Sequence, residues 1–71
     1  MRNYEHAASV LSEWFEERGI SASEFAKMTQ IDAGTVRNIL AGRQKNISTR
    51  NMLIIARYFD LSLQELIDRL A

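Results

Sequence analysis

The stretch that most constrains this chain is Ser21–Gly42, SASEFAKMTQIDAGTVRNILAG. It spells two short helices joined by a tight turn. Ser21 and Glu24 form an S-x-x-E capping box that opens the first of them, with Phe25, Ala26 and Met28 expected on its inner side. Asp32 is placed to cap the second, because its carboxylate can accept orphan amides of the first turn. Val36, Ile39 and Leu40 then recur at helical spacing, and Gly42 stands where a helix stop is expected. Thr35, Arg37 and Asn38 fall between these apolar positions and make an exposed polar face. Two helices this short cannot bury their own apolar faces, so the rest of the chain is expected to hold them.

The chain in order supplies that support. Residues 5–18 predict a helix with Ala7, Ala8, Val10, Leu11, Trp14 and Phe15 along one stripe, Glu13, Glu16 and Glu17 facing water, and Gly19 as its stop. After the central pair, GRQKNI (42–47) reads as a polar basic loop, and Ser48 or Thr49 caps a fourth helix. Its expected buried set is Met52, Leu53, Ile55, Ala56 and Phe59. Asp60 and Leu61 make a bend. Ser62 and Glu65 repeat the capping box and open a fifth helix with Leu63, Leu66, Ile67 and Leu70 along one side. The core is expected to take Leu63, Leu66 and Ile67, while Leu70 is open to core or interface. There is no proline and no β-alternation, so the fold class is all-α, five short helices in a single domain spanning residues 1–71.

Charge adds direction. The formal net charge is zero, but it is unevenly spread. Residues 1–26 carry Arg2 and Arg18 against five glutamates, a net of −3. Residues 27–57 carry Lys27, Arg37, Arg43, Lys45, Arg50 and Arg57 against Asp32 alone, a net of +5. Residues 58–71 return to −2. The positive third coincides with the exposed helix face, and such polarity steers a polyanion to one side of a neutral molecule.

Enzyme chemistry finds little footing. His6 is the only histidine, there is no cysteine to serve as nucleophile or metal ligand, and no Gly-rich phosphate loop is present. No catalytic residue, metal site or cofactor is expected. No apolar run approaches the roughly 20 residues that cross a bilayer, and the N-terminus lacks a signal-peptide core. A cytoplasmic location is the expectation.

Duplex DNA suits the residues better. An α-helix fits the major groove, where base edges carry distinct donor and acceptor patterns. The helix after Asp32 offers Ala33, Gly34, Arg37 and Asn38 for base reading. Asn38 can pair with N6 and N7 of adenine, and Arg37 with guanine or a phosphate. Arg43, Gln44, Lys45 and Asn46 follow directly and could grip phosphates beside the groove. Ser21 and Ser23 at the start of the second helix, Thr35 in the third and Arg50 in the fourth complete the phosphate-contacting set.

With Ser21, Phe25, Ala26, Ile31, Asp32, Val36, Ile39 and Gly42 in this order, followed by LIIARYFDLSLQELI, residues 9–70 resemble the lambda repressor/Cro helix-turn-helix family. The resemblance implies a five-helix DNA-binding domain with a recognition helix at Ala33–Leu40. It also implies phosphate contacts from the loop before the fourth helix, and a homodimer on two half-sites one DNA turn apart. The implied function is a sequence-specific transcriptional regulator that acts by occupying an operator; repression is the expected outcome, and activation stays open because either can follow from where the operator sits. Three positions depart from the family pattern. Ala22 replaces a frequent glutamine, Gln30 stands where a glycine of positive φ is usual, and Ala33 and Gly34 replace long polar residues. A left-handed Gln30 would cost roughly 1–2 kcal/mol. The sparse surface at Ala33 and Gly34 keeps a second reading open, a protein-interaction or antitoxin-like module on the same fold.

Overall fold

Side-chain caps start four of the helices, and their apolar stripes decide how all five pack. The computed structural model describes residues 4–44 and 46–71. Among these residues the order is α1 (Tyr4–Arg18), α2 (Ala22–Thr29), α3 (Ala33–Leu40), α4 (Thr49–Tyr58) and α5 (Leu63–Leu70), with no strand. The five-helix, all-α architecture is the one the sequence predicts. Ser21 and Ser62 are the N-caps of α2 and α5. In each, the serine hydroxyl accepts the backbone N–H of the glutamate three residues on, at 3.1 Å. The glutamate in turn accepts the serine's backbone N–H at 2.8 Å. Asp32 caps α3 and Ser48, rather than Thr49, caps α4. Each such cap contributes about 1 kcal/mol. In α5 the bond from the Ser62 backbone, then that with the Ser62 hydroxyl, holds the Glu65 carboxyl below its ordinary range, with Arg69 adding to the effect.

α2 packs on α3, α4 on α5, and α1 against both α3 and α5. The fully buried centre comes from three helices: Leu11 of α1, Phe25 of α2 and Leu66 of α5. Phe15, Ile31, Val36, Ile39, Ile55, Ala56, Phe59 and Leu70 close around them. Burying a side chain such as Phe25 stabilises the fold by about 2–3 kcal/mol. An aromatic chain runs through this core. Phe15 lies 4.9 Å from Phe25 and 5.9 Å from Phe59, ring centre to ring centre, and Tyr58 meets both Phe25 and Phe59 edge-on at 5.0 Å. Trp14 is half-buried, its ring 5.1 Å from Phe59 at 61°. The Arg18 guanidinium covers the outside of this cluster, 4.9 Å from the Phe59 ring centre and 5.6 Å from that of Tyr58.

Four expectations shift by helical phase. Met28 is 57% exposed, because it lies about 110° around α2 from the centre of the stripe formed by Ala22, Phe25, Ala26 and Thr29. Leu53 is 40% exposed for the same reason, about 110° from the centre of the stripe of Ile55, Ala56 and Phe59. In α5 the core takes Leu66 and Leu70, four residues apart, and leaves Ile67 at 43% exposure. Ile67 is therefore not core, Leu70 is, and Leu63 is half-buried. Burying Leu66 and Leu70 together turns Ile67 about 80° away from the centre of the stripe.

Candidate nucleic-acid interface

α3 is fixed at both ends before any of its outer side chains is considered. At its start the Asp32 carboxylate accepts the Thr35 N–H at 3.2 Å. This cap explains Gly34. A methyl added there would stand 2.9 Å from Asp32 Oδ2, so Gly34 leaves room for the capping carboxylate. The turn before it contains Gln30 in the left-handed conformation, φ 68°, with its N–H donating to Ala26 O at 2.8 Å. Thr29 braces this turn: its hydroxyl donates to Phe25 O at 2.7 Å and accepts the Ile31 N–H at 3.4 Å. Ile31 is buried directly after the strained residue.

The exit of α3 is built differently. Gly42 takes φ 77°, and its N–H bonds to Ile39 O at 3.2 Å. The next N–H, that of Arg43, bonds back to Asn38 O at 2.9 Å. These two bonds are a Schellman motif, which folds the chain back over the last turn of the helix. Arg43 is thereby laid against Asn38. Its Nε and Nη2 groups donate to Asn38 Oδ1 at 3.2 and 3.1 Å. One further bond anchors this end to the scaffold: the Ser12 hydroxyl of α1 donates to Leu40 O at 3.1 Å.

The outer face of α3 presents Arg37 exposed and Ala33, Gly34, Thr35 and Asn38 half-buried, while Val36 and Ile39 point into the core. Arg43 and Asn46 are exposed in the loop that follows, and Gln44 Nε2 donates to Asn46 O at 3.0 Å. Lys45 lies outside the described residues. Ser23 is exposed in the first turn of α2, Ser21 is occupied by its capping box, and Arg50 is exposed in the first turn of α4. Hydrogen bonds thus join Asn38 with Arg43 and Gln44 with Asn46, whereas Ser21, Ser23 and Arg50 stand on other helices. The pairing of Asn38 with Arg43 was missed at the level of sequence. Gly42 carried the signal, since a glycine that ends a helix brings the following residue over the one four positions before it.

Among the described residues no group of three or more His, Cys, Asp or Glu side chains could hold a metal ion. None of their helices is long and apolar enough to cross a membrane. The model of the helix-turn-helix family matches residues 11–66 of the chain. No curated protein and no solved structure matches it.

Proposed function

The chain belongs to the lambda repressor/Cro-like helix-turn-helix family, and on that premise we propose that it is a sequence-specific, double-stranded DNA-binding transcriptional regulator. The observation that carries this reading is α3 itself. It is a helix capped at its start, locked at its exit and anchored to α1, exposing Arg37 beside Asn38 inside the segment of net charge +5. A rigid helix with polar groups on its free face and positive charge around it is what the major groove accepts.

In this reading Ala33–Leu40 enters the groove, with Ala33, Gly34, Arg37 and Asn38 next to base edges. Ala33 can meet a thymine methyl, whereas Gly34 contributes only close approach. Ser21, Ser23, Thr35, Arg43, Gln44, Lys45, Asn46 and Arg50 lie along the phosphates and fix the register of the helix. The protein acts in the cytoplasm as a repressor, by occupying its operator. It does so as a homodimer, whose two recognition helices meet half-sites about 34–36 Å apart. The exposure of Ile67 on α5 supports a surface for that pairing.

Selection from a random duplex library tests the proposal, with the enriched sequences titrated at about 50 and 200 mM salt. The expected result is a short palindrome whose affinity falls on the order of a hundredfold or more over that range, as counterions released by phosphate contacts become harder to displace. Failure of any sequence to enrich, or an isotherm indifferent to salt, would overturn it in favour of a protein partner.

A further inference from the structure

We infer that Arg43 sets the base specificity of Asn38, holding its side chain as a hydrogen-bond donor that selects guanine in the major groove. The inference rests on the DNA-binding reading above and deepens it.

A free asparagine amide is ambivalent. Its oxygen accepts and its nitrogen donates, and together they match the N6 donor and N7 acceptor of adenine. In this structure the oxygen is already committed. Two N–H groups of the Arg43 fork converge on Asn38 Oδ1 at 3.2 and 3.1 Å, while the Arg43 backbone N–H holds Asn38 O at 2.9 Å. Three bonds therefore join the two residues, and the Schellman turn at Gly42 makes the contact a property of the local backbone. Among the described residues the Asn38 nitrogen donates to nothing within the chain. The amide is locked with its oxygen turned to Arg43 and its NH₂ group left to read. A donor-only amide cannot accept from adenine N6. Guanine presents two adjacent acceptors, N7 and O6, to the same NH₂ group. Arg43 is thus a positioning residue. The guanidinium keeps further N–H groups for a neighbouring phosphate, so the two tasks are compatible.

The test is library selection with the wild-type chain and with Arg43→Met, Arg43→Lys, Asn38→Ala and Arg50→Met, thermal unfolding confirming that each variant folds. The wild-type chain is expected to require guanine at one position of each half-site. Asn38→Ala should erase that requirement and so identify the position. Arg43→Met frees Oδ1 and should move the preference there toward adenine by roughly tenfold. Arg43→Lys keeps the charge without the two-pronged grip, and should move the preference with little loss of affinity. Arg50→Met should weaken all sequences alike and leave the preference unchanged. A wild-type preference for adenine at the position that Asn38→Ala erases would overturn the inference. So would a guanine requirement at that position that survives Arg43→Met, or an operator in which Asn38→Ala erases no guanine requirement. In each of these cases the enriched operator itself would still stand. If the wild-type chain enriches no sequence at all, the DNA-binding reading falls and the inference with it.

Discussion

The turn that enters α3 and the turn that leaves it solve the same steric problem with different residues. Both need a residue of positive φ to reverse the chain, Gln30 at 68° and Gly42 at 77°. Gly42 adopts that geometry without strain, because it has no Cβ to meet the following carbonyl. Gln30 does so against a cost of roughly 1–2 kcal/mol. The entry turn tolerates the strain because it is braced on both sides, by the Thr29 hydroxyl and by the burial of Ile31. The exit has no comparable packing. It opens into the polar loop that holds exposed Arg43 and Asn46, and since the Ser12 bond falls on Leu40, two residues earlier, the reversal at Gly42 itself rests on backbone bonds. Where tertiary structure over-determines a turn, the residue type is free. Where it does not, as at Gly42, a residue without a Cβ meets the geometry at no steric cost.

The contrast breaks most readily at Gly42. Gly42→Val places a β-branched residue at a φ that such residues rarely adopt, and is expected to cost about 2 kcal/mol in urea unfolding. A loss below about 0.5 kcal/mol would show that the exit is as well supported as the entry. The opposite change sharpens the contrast. Gln30→Gly relieves the left-handed strain but adds backbone freedom to the unfolded chain, so a net gain of about 0.5–1 kcal/mol is expected from the same measurement. A destabilised variant would mean that the glutamine side chain contributes something beyond its backbone.

The smallest effect separates ends fixed by conformation from starts fixed by side chains. Glu65 closes the α5 capping box and its carboxyl titrates below the ordinary value of 4.5. A lowered folded value means that the contribution is fully present above the unfolded value and is lost as pH falls through the folded one. Unfolding curves between about pH 5 and pH 3 should therefore decline less steeply for Glu65→Gln than for the parent chain. Equal slopes would indicate that the box gives no net preference to the ionised carboxyl. The turns at Gln30 and Gly42 are held by φ and by amide bonds, which do not titrate in that window.

Much of this architecture was legible because short polar side chains act locally. Ser21 with Glu24, Asp32, and Ser62 with Glu65 each bond to an amide three residues away, a distance the sequence shows directly. The glycine stops at Gly19 and Gly42 are equally local. Asp60, at φ 63°, makes a Schellman turn of the same kind without a glycine, and its composition announced only a bend. The phase of a short apolar stripe is another matter. Leu63, Leu66, Ile67 and Leu70 all fit one face of α5, and contact with α1 and α4 decides that Leu70 goes in and Ile67 stays out. Within the candidate interface, residue types on α3 were readable as a polar face. That Gly34 clears space for the Asp32 carboxylate, and that Arg43 grips Asn38, depends on side-chain directions that spacing alone does not carry.

Trp14 is the single tryptophan of the chain, and its indole meets Phe59 edge-on at the junction of α1 with the end of α4. Intrinsic fluorescence excited at the indole band therefore has one source and one meaning. It reports whether α1 is seated on the aromatic core, and it shifts to the red when unfolding carries the ring into water. The emitter sits in the supporting helix rather than on the polar face of α3. The molecule thus carries an optical gauge of its own integrity that is separate from the surface assigned to recognition.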